Sequence, residues 1–364
     1  MKARIVKPGD LDPAHIALWR EFQDAEPALQ SPFFSVEFTA AIGAARSDAY
    51  VAILEDAGSV CGFLPFHRCP AGIAKPIGGP ISDYQGVIAA PGFDWTGEAL
   101  LKACGLNAYD FNHAPANQSA LYPGAVHYSR SPYIDLSEGF DAYIEARLRS
   151  SRKNLKDLDR RRRKLEREIG PLQFNYSDDR EETWRALVAM KNKSYQRLKV
   201  RSILDVPWVD RVLARLRATS NEHFSGLLSS VFAGERLIAG HFGMRSKTTW
   251  CWWFNSYDYD VRNYAPGMLL VLEAAKRAPA EGLTKIDFGR GDADYKLVFS
   301  TAETRLCEGS IELATSRAGL LRRAQKFCVG VAKGLPLGRY ESYPRRAFAR
   351  LVTSMRLPSR GEAR

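Results

Sequence analysis

The chain has 364 residues, of which 45% are hydrophobic, and this length exceeds one ordinary compact core and favours two domains. No run approaches the roughly 18 consecutive apolar residues that a membrane span requires, and residues 1–10 lack the apolar core of a secretory signal. We therefore expect a cytoplasmic protein. The six cysteines contain no CxxC pair, so the sequence predicts neither a metal site nor a disulfide framework.

The net charge of +11 is concentrated in two segments. Residues 147–168 hold 11 Lys or Arg against 4 Asp or Glu, and residues 317–364 hold 12 against 2. The rest of the chain is slightly acidic. Such a distribution suits an anionic substrate, a nucleotide or an anionic membrane surface better than a general nucleic-acid groove, and we expect no DNA partner.

The two halves of the sequence resemble each other. Residues 51–66 form a strand, a glycine turn and a second strand, and residues 229–244 repeat the pattern, with Gly240 placed like Gly62. Residues 104–112 and 281–289 also match, each ending a helix and entering a strand. These matches indicate a duplicated α/β unit, although any two α/β domains contain hairpins and helix-strand joints.

In chain order, the second half predicts helices, then antiparallel strands, then a helix between two further strands. The predicted helices span 138–169, 180–199, 207–219 and 266–280, and the predicted strands span 226–232, 236–245, 248–256, 284–288 and 309–313. This order is mixed α/β and lacks the βαβ alternation of a doubly wound nucleotide fold. We predict domains at 1–135 and 136–315 and a basic amphipathic helical tail at 316–364.

Residues 287–299, with the sequence DFGRGDADYKLVF, form the sharpest motif in the chain. Two glycines directly after a strand allow a tight turn, and acidic, phenolic and ammonium groups follow them. The segment resembles the D-F/L-G-x-G-D-x-x-Y-K-x-x-F signature of the FemAB-like acetyltransferases, a group that includes proteins of bacterial cellulose and exopolysaccharide biosynthesis. Residues 82–86 and 264–270 resemble two further motifs of that family, and the whole resemblance covers roughly residues 30–315.

The resemblance implies two tandem GNAT-like domains that transfer an acyl group to an amine or hydroxyl without a covalent enzyme intermediate. The donor implied is acetyl-CoA or another acyl-CoA, whose pyrophosphate rests on the turn that enters the helix after the fourth strand. In this chain the turn lacks the full Q/R-x-x-G-x-G/A fingerprint, and Pro266 and Gly267 alternatively serve only to start a helix. The expected donor-binding residues are Arg262, Tyr264, Pro266, Gly267 and Met268.

The expected catalytic residues are Asp292, Tyr295 and Lys296, with His241 and Tyr257 as second candidates. Lys296 is expected to hold a phosphate or carboxylate of substrate rather than to act as a base, because an ordinary lysine pKa is near 10.4. His241 is alternatively a core histidine, and Tyr257 alternatively only ends a strand.

The helix around residues 150–166 is predicted to be amphipathic with a basic outer side, which either binds acceptor phosphates or is a solvated face. The aromatic strand 250–254 is expected to form core and cleft wall, with one indole available to stack on a sugar. The expected substrate-binding residues are Asp83, Tyr84, Arg152, Asn154, Arg290 and Trp253.

The sequence thus predicts an enzyme that acylates a sugar, free or lipid-linked, in a cell-envelope or exopolysaccharide precursor. The alternatives are an aminoacyl-tRNA-dependent aminoacyltransferase acting on a peptidoglycan precursor and a non-catalytic GNAT-fold protein that binds an anionic regulator. For the tail, we weigh docking to an anionic inner-membrane surface, binding of a cyclic dinucleotide, and packing on the second domain.

Overall fold

The computed structural model describes residues 1–291, 293–314, 316 and 319. Asp292 and the helices expected in the tail therefore lie outside the described residues. Within this part, no helix combines the length and the apolar character needed to cross a membrane.

The described residues form helices and strands that alternate along both halves. The helices are α1 (Pro13–Ala25), α2 (Val36–Ala45), α3 (Gly97–Ala103), α4 (Gly139–Glu168), α5 (Glu181–Leu198), α6 (Pro207–Arg217), α7 (Pro266–Arg277) and α8 (Asp294–Phe299). The strands are β1 (Lys2–Val6), β2 (Ala49–Asp56), β3 (Ser59–Cys69), β4 (Ile73–Pro76), β5 (Ile88–Ala89), β6 (Ala108–Pro115), β7 (Ala125–Asp135), β8 (Leu172–Asn175), β9 (Ser225–Ala233), β10 (Arg236–Arg245), β11 (Thr249–Tyr257), β12 (Lys285–Asp287) and β13 (Ala302–Glu312).

All of these strands belong to one sheet with the order β1-β2-β3-β4-β6-β13-β7-β12-β11-β10-β9-β8, and β5 pairs with β3. Most neighbours are antiparallel, and one parallel pair occurs in each half, β4 with β6 and β11 with β12. The predicted mixed α/β fold is confirmed.

The duplication is visible element by element. Strands β1 to β4 correspond in order and pairing to β8 to β11, and the helix after them, α3 or α7, leads in each half to a parallel strand, β6 or β12. The hairpin β2–β3 matches β9–β10, and both contain a one-residue bulge at the same distance from the turn. Counted from the turn, Gly62 corresponds to Ala239, so Gly240 lies one residue away from the place predicted for it. The sequence repeat therefore reflects a structural repeat.

The last strand of each half is exchanged with the other half. Strand β7 of the first half pairs with β12 of the second, whereas β13 of the second half lies between β6 and β7. The predicted strand 309–313 is thus too short, since β13 begins at Ala302. The first residues of β13 include the charged Glu303 and Arg305 and show little alternation of apolar and polar residues. The sequence pattern therefore does not indicate a strand there.

The hydrophobic core follows the same arrangement. On one face of the sheet, α1 and α2 of the first half and α5 and α6 of the second half contribute to one continuous cluster of buried residues. On the other face, α4, α7 and α8 pack on the second half, and α3 packs on the first. The two halves consequently share a core on the side where their helices meet.

We predict that neither half folds alone, because separation leaves β6 and β7 with unpaired edges. Fragments 1–137 and 138–364 should each lack a cooperative thermal unfolding transition, whereas co-expression should give a one-to-one complex with a single transition. Calorimetry on the separate and combined fragments checks this. A cooperative transition from fragment 1–137 by itself would contradict the shared sheet.

Candidate active site

The end of β12 carries a carboxylate that joins the two halves. Asp287 is fully buried and accepts hydrogen bonds from Tyr84 Oη at 2.6 Å, from Ser131 Oγ at 2.6 Å and from the Gly289 N–H at 2.9 Å. The ammonium of Lys285 lies 3.1 Å from its second oxygen. A buried carboxylate is stable only with such partners, so these bonds fix the loops around it.

Tyr84 belongs to this buried joint. Its side chain is only 3% exposed, and burial together with the negative charge of Asp287 raises the pKa of its hydroxyl well above the usual value. The hydroxyl therefore stays protonated and donates to Asp287. Although the sequence predicts a substrate contact for Tyr84, the structure places this side chain in an internal contact that positions the residue before it, Asp83.

Asp83 lies at the surface of the joint, where 28% of its side chain is exposed. It packs against Gly289, whose φ is +68° and where a Cβ atom would come within 2.7 Å of Asp83 Oδ2. Burial and the charge of Asp287 raise the pKa of Asp83 to about 6, although the cations of Lys296 and Arg290 act in the opposite direction. A carboxyl with this pKa suits a general base near neutral pH.

An imidazole lies beside Asp83. His113 Nε2 is 3.9 Å from Asp83 Oδ1, and burial, assisted by the positive charge of Arg290, lowers the pKa of His113 to about 4. His113 is therefore neutral at physiological pH. The guanidinium of Arg290, a predicted substrate contact, reaches Glu308 at 3.3 Å and the Asn112 carbonyl at 3.4 Å, so it also organises the site.

The loop Gly289–Gly291 follows β12 and is held from below by Lys296. The Lys296 ammonium donates to the carbonyls of Gly289 at 3.0 Å and Arg290 at 2.9 Å, and its side chain is 9% exposed. On the other side, the Gly291 N–H donates to the Arg130 carbonyl of β7 at 3.3 Å. These bonds show a loop-supporting role for Lys296, whereas contact with a substrate anion stays a prediction.

Helix α4 holds the short helix α8 that carries Lys296. Tyr143 Oη donates to the Phe299 carbonyl at 3.0 Å, and the Arg147 guanidinium donates to the carbonyls of Ser300 at 2.8 Å and Leu297 at 3.2 Å. These contacts satisfy carbonyls at the C-terminal end of α8, where a cation is also favourable. The first turns of α4 therefore fix the position of α8, and through Lys296 they fix the position of the glycine loop.

In each half the two parallel strands separate after a few paired residues. In the first half, side chains of the same half fill the gap between the separated strands. Strands β4 and β6 pair only near Ile73 and Ala108. Beyond that point, Gln85 Oε1 accepts from the N–H groups of Asn112 at 2.9 Å and His113 at 3.2 Å. Gln118 likewise bonds both backbone groups of Val87. The gap in the first half is therefore filled by its own chain.

In the second half, β11 pairs with β12 only at Thr249–Cys251 and then continues to Tyr257. Helix α7 begins just beyond, after Ala265 in the left-handed conformation, and its first turn has no side-chain cap. The guanidinium groups of Arg262 and Arg197 both lie over the Tyr259 ring, at 4.4 and 4.2 Å from its centroid. Arg262 lies in the turn that enters α7, because the Ala265 N–H donates to its carbonyl at 3.0 Å.

The other residues expected at this turn have varied surroundings. Tyr264 Oη donates to Glu168 at 2.6 Å, Pro266 is buried at the first helical position, and Met268 packs partly against the core. Gly267 leaves room at the helix start, since a Cβ atom there would meet only Tyr257 Cδ1 at 3.4 Å.

His241 is a core residue in this structure. It is fully buried, its ring stacks on Trp252 at 3.8 Å, and its Nε2 accepts the backbone N–H of Trp253 at 3.1 Å. Burial lowers the pKa of His241 to about 3, so the ring is neutral. Of the two interpretations made from sequence, the geometry supports the core histidine, which satisfies a backbone amide at the bulge in β11 opposite Gly243.

The remaining expected residues are dispersed. Tyr295 packs edge-on against Phe288, with ring centroids 5.8 Å apart, and burial raises the pKa of Tyr295 to about 12. Tyr257 ends β11 and is 37% exposed. Trp253 is half-buried against Phe33 at 5.8 Å. Arg152 and Asn154 are exposed on α4. Among the described residues, no cluster of three His, Cys, Asp or Glu side chains is placed to hold a metal ion.

Several residues of the site were not expected from sequence. They are His113, Ser131, Lys285, Gln85 and Gln118. His113, Ser131 and Gln118 lie far along the chain from the 287–299 motif, so no local spacing signals their roles. Lys285 lies just before that motif and Gln85 lies within residues 82–86, but neither motif indicates their contacts. Only the sequence repeat points to His113. Residues 104–112 match residues 281–289, so His113 follows the part of β6 that corresponds to the end of β12.

The shared sheet and the splayed parallel pair in each half form the tandem GNAT-like fold that the sequence predicts. Residues 152–297 match the family model described as acetyltransferase (GNAT) domain, so the second half carries such a domain. Acyl transfer is the class of reaction that this match supports. Among curated proteins, no sequence matches the chain.

Solved structures with a similar fold differ widely from this chain in sequence. The crystal structure of FemX is 12% identical, with 81% of this chain and 94% of that chain covered and a TM-score of 0.55. A conserved protein of unknown function from Bacteroides thetaiotaomicron VPI-5482 is 10% identical, with coverage of 82% and 98% and a TM-score of 0.50. A tandem GNAT protein from the clavulanic acid biosynthesis pathway is 10% identical, with coverage of 85% and 98% and a TM-score of 0.46.

We predict that Asp287→Ala lowers the free energy of unfolding by about 3–5 kcal/mol, because it leaves Tyr84, Ser131 and Lys285 without their buried acceptor. Asp94→Ala, at an exposed aspartate, is the matched control and should change stability by no more than about 0.5 kcal/mol. Urea unfolding of both variants measures the difference. Equal small effects would show that the joint contributes little.

We also predict that Asp83→Asn stabilises the protein in a pH-dependent way. The folded pKa of about 6 exceeds the ordinary 3.8, so ionisation of Asp83 between these values destabilises the folded state. The variant should gain about 1–2 kcal/mol at pH 8 and nothing near pH 4. Unfolding free energies at both pH values test this, and a loss of stability at pH 8 would contradict the raised pKa.

Proposed function

We propose that the protein transfers an acyl group from acyl-CoA to an amine or hydroxyl of a sugar in a cell-envelope or exopolysaccharide precursor. The observation that carries the proposal is the Asp83 carboxyl, with a pKa of about 6, held against the glycine loop of the half that matches a GNAT domain. The first half supplies this carboxyl, and the second half supplies the splayed strands and the start of α7.

In the proposed reaction, Asp83 accepts the proton of the acceptor's N–H or O–H as that atom bonds to the thioester carbonyl carbon. The C–S bond then breaks, and the departing sulfur takes a proton. Tyr295 is the proposed donor, because its hydroxyl is protonated at neutral pH, although its raised pKa of about 12 makes it a weaker acid than an ordinary tyrosine. The neutral His113 next to Asp83 adds no competing positive charge.

The start of α7 fits the diphosphate of a coenzyme A donor. Its first turn has no side-chain cap, and the helix dipole favours an anion at this end. Arg262, in the turn that enters this helix, adds a positive charge that attracts phosphate. When bound, the thioester supplies the activated acyl group, and the residues of this turn orient it.

An acceptor would reach Asp83 from the face of the sheet where the helices of both halves meet. Tyr84 and Phe33 belong to the core cluster on this face, and Trp253 packs against it. The half-buried indole of Trp253 supports the proposed stacking on a sugar ring. The resemblance to the FemAB-like acetyltransferases of polysaccharide biosynthesis supports the acceptor class.

The alternative function is aminoacyl transfer from an aminoacyl-tRNA to a peptidoglycan precursor. The likeness to FemX concerns the fold alone at this identity. The basic helix α4 gives this alternative some support, but it is one helix packed on the second domain and not an antiparallel helical arm. A protein that only binds an anionic regulator is the non-catalytic alternative.

We predict that acetyl-CoA raises the melting temperature by several degrees at a hundredfold excess over its Kd, which corresponds to about 2.7 kcal/mol. Gly267→Glu should abolish the shift, because it adds negative charge at the helix start. Lys276→Glu, an exposed site at the other end of α7, is the matched control. A shift with aminoacyl-tRNA and none with acetyl-CoA would favour the alternative donor.

We predict that Asp83→Asn lowers turnover about 10²- to 10⁴-fold and that Tyr295→Phe lowers it about a hundredfold. The rate of the wild-type protein should fall below pH 6, as Asp83 becomes protonated. Release of the CoA thiol in the presence of amino sugars measures each rate. Unchanged turnover in Asp83→Asn would place the base elsewhere.

A further inference from the structure

The first half of α4 presents a surface that combines apolar and cationic side chains. Leu148 is 42% exposed, and Leu297 on α8 is 52% exposed. The two leucines lie on elements that contact each other, since Arg147 of α4 donates to the Leu297 carbonyl of α8 at 3.2 Å. We call the α4 patch the surface formed by Leu148, Arg149, Arg152, Lys153, Lys156 and Leu297.

Arg152, Lys153 and Lys156 lie within one turn of each other on one side of the helix, and Arg149 lies just before the break in helical backbone at Ser151. All four cations are exposed. Among the described residues, none of them has a carboxylate within 4.0 Å. The second half of the same helix differs, because its arginines pair with Asp157, Asp159 and Glu166. Unneutralised charge is thus confined to the turns that also expose leucine.

We propose that the α4 patch docks the protein on an anionic lipid bilayer. Lysine and arginine near an anionic lipid surface each favour binding, and exposed leucines gain further by entering the apolar edge of the bilayer. An RNA would bind the cations through its phosphates but would gain little from the leucines, since bases stack on aromatic rings and on guanidinium planes. The combination of both side-chain types therefore favours lipid.

Docking at this surface brings the reaction centre close to the bilayer. Tyr143 and Arg147, one turn from the patch, hold the end of α8, and Lys296 of α8 holds the glycine loop beside Asp83. The docking itself does not depend on which acyl group is transferred, so it stands apart from the proposed chemistry.

The test is sedimentation of the full chain with vesicles of phosphatidylglycerol and phosphatidylcholine, compared with phosphatidylcholine alone. Wild-type protein should bind the anionic vesicles at low salt. The double variant Lys153→Gln/Lys156→Gln should lower the partition coefficient about 25-fold, which is about fivefold for each cation. Leu148→Ser, made in the wild-type protein, should also lower the partition coefficient, although it leaves the charge unchanged.

The matched control is Arg163→Gln/Arg167→Gln, which removes the same charge from exposed sites on the other half of α4. It should change binding less than twofold, and the basic residues 317–364 are identical in every variant. Equal losses in both double variants, or equal binding to neutral vesicles, would overturn the proposal. Binding to tRNA that falls in Lys153→Gln/Lys156→Gln but not in Leu148→Ser would assign the patch to RNA instead.

Discussion

The buried carboxylate of Asp287 determines how the two halves meet. It lies at the end of a strand of only three residues. Two of its partners come from other segments, Tyr84 from the loop after β4 and Ser131 from β7, and Lys285 belongs to β12 itself. Because an unpaired buried charge is so unfavourable, the loop that carries Tyr84 cannot drift without a large loss of stability. The position of Asp83, one residue earlier, follows directly from this constraint.

The duplicated units have become unlike each other where their parallel strands part. In the first half, Gln85 and Gln118 satisfy the backbone groups along the gap. In the second half, the same place is followed by glycines with φ of +68° and +114°, a conformation that side chains with a Cβ rarely adopt. The first half thus contributes the Asp83 carboxyl to the gap between the parallel strands of the second half. This difference explains why two similar halves give a single candidate site in the described part of the chain.

Sequence reasoning predicted what is local. The apolar periodicity of α4, α5 and α7 and the hairpin signals of β9 and β10 placed those elements within a few residues, and the 287–299 motif located the glycine loop. It could not predict that β13 crosses to the other half, since strand pairing between distant segments leaves no spacing pattern. The raised pKa of Asp83 was also out of reach, because it arises only when residues some 200 positions apart are packed together. The contacts of Lys296 are local, to carbonyls six and seven residues away, but they depend on the path of the glycine loop, which the motif does not give.

The exchanged strands also affect folding during synthesis. Strand β6 ends at Pro115, but its neighbour β13 begins only at Ala302. At about 5–20 residues per second, the ribosome needs roughly 10–40 seconds to supply that neighbour. Throughout this interval, the nascent first half exposes a strand edge in the middle of its future sheet, which is a surface that other chains can join. The topology that unites the two halves therefore makes the growing chain a natural client for chaperones that shield unpaired strands.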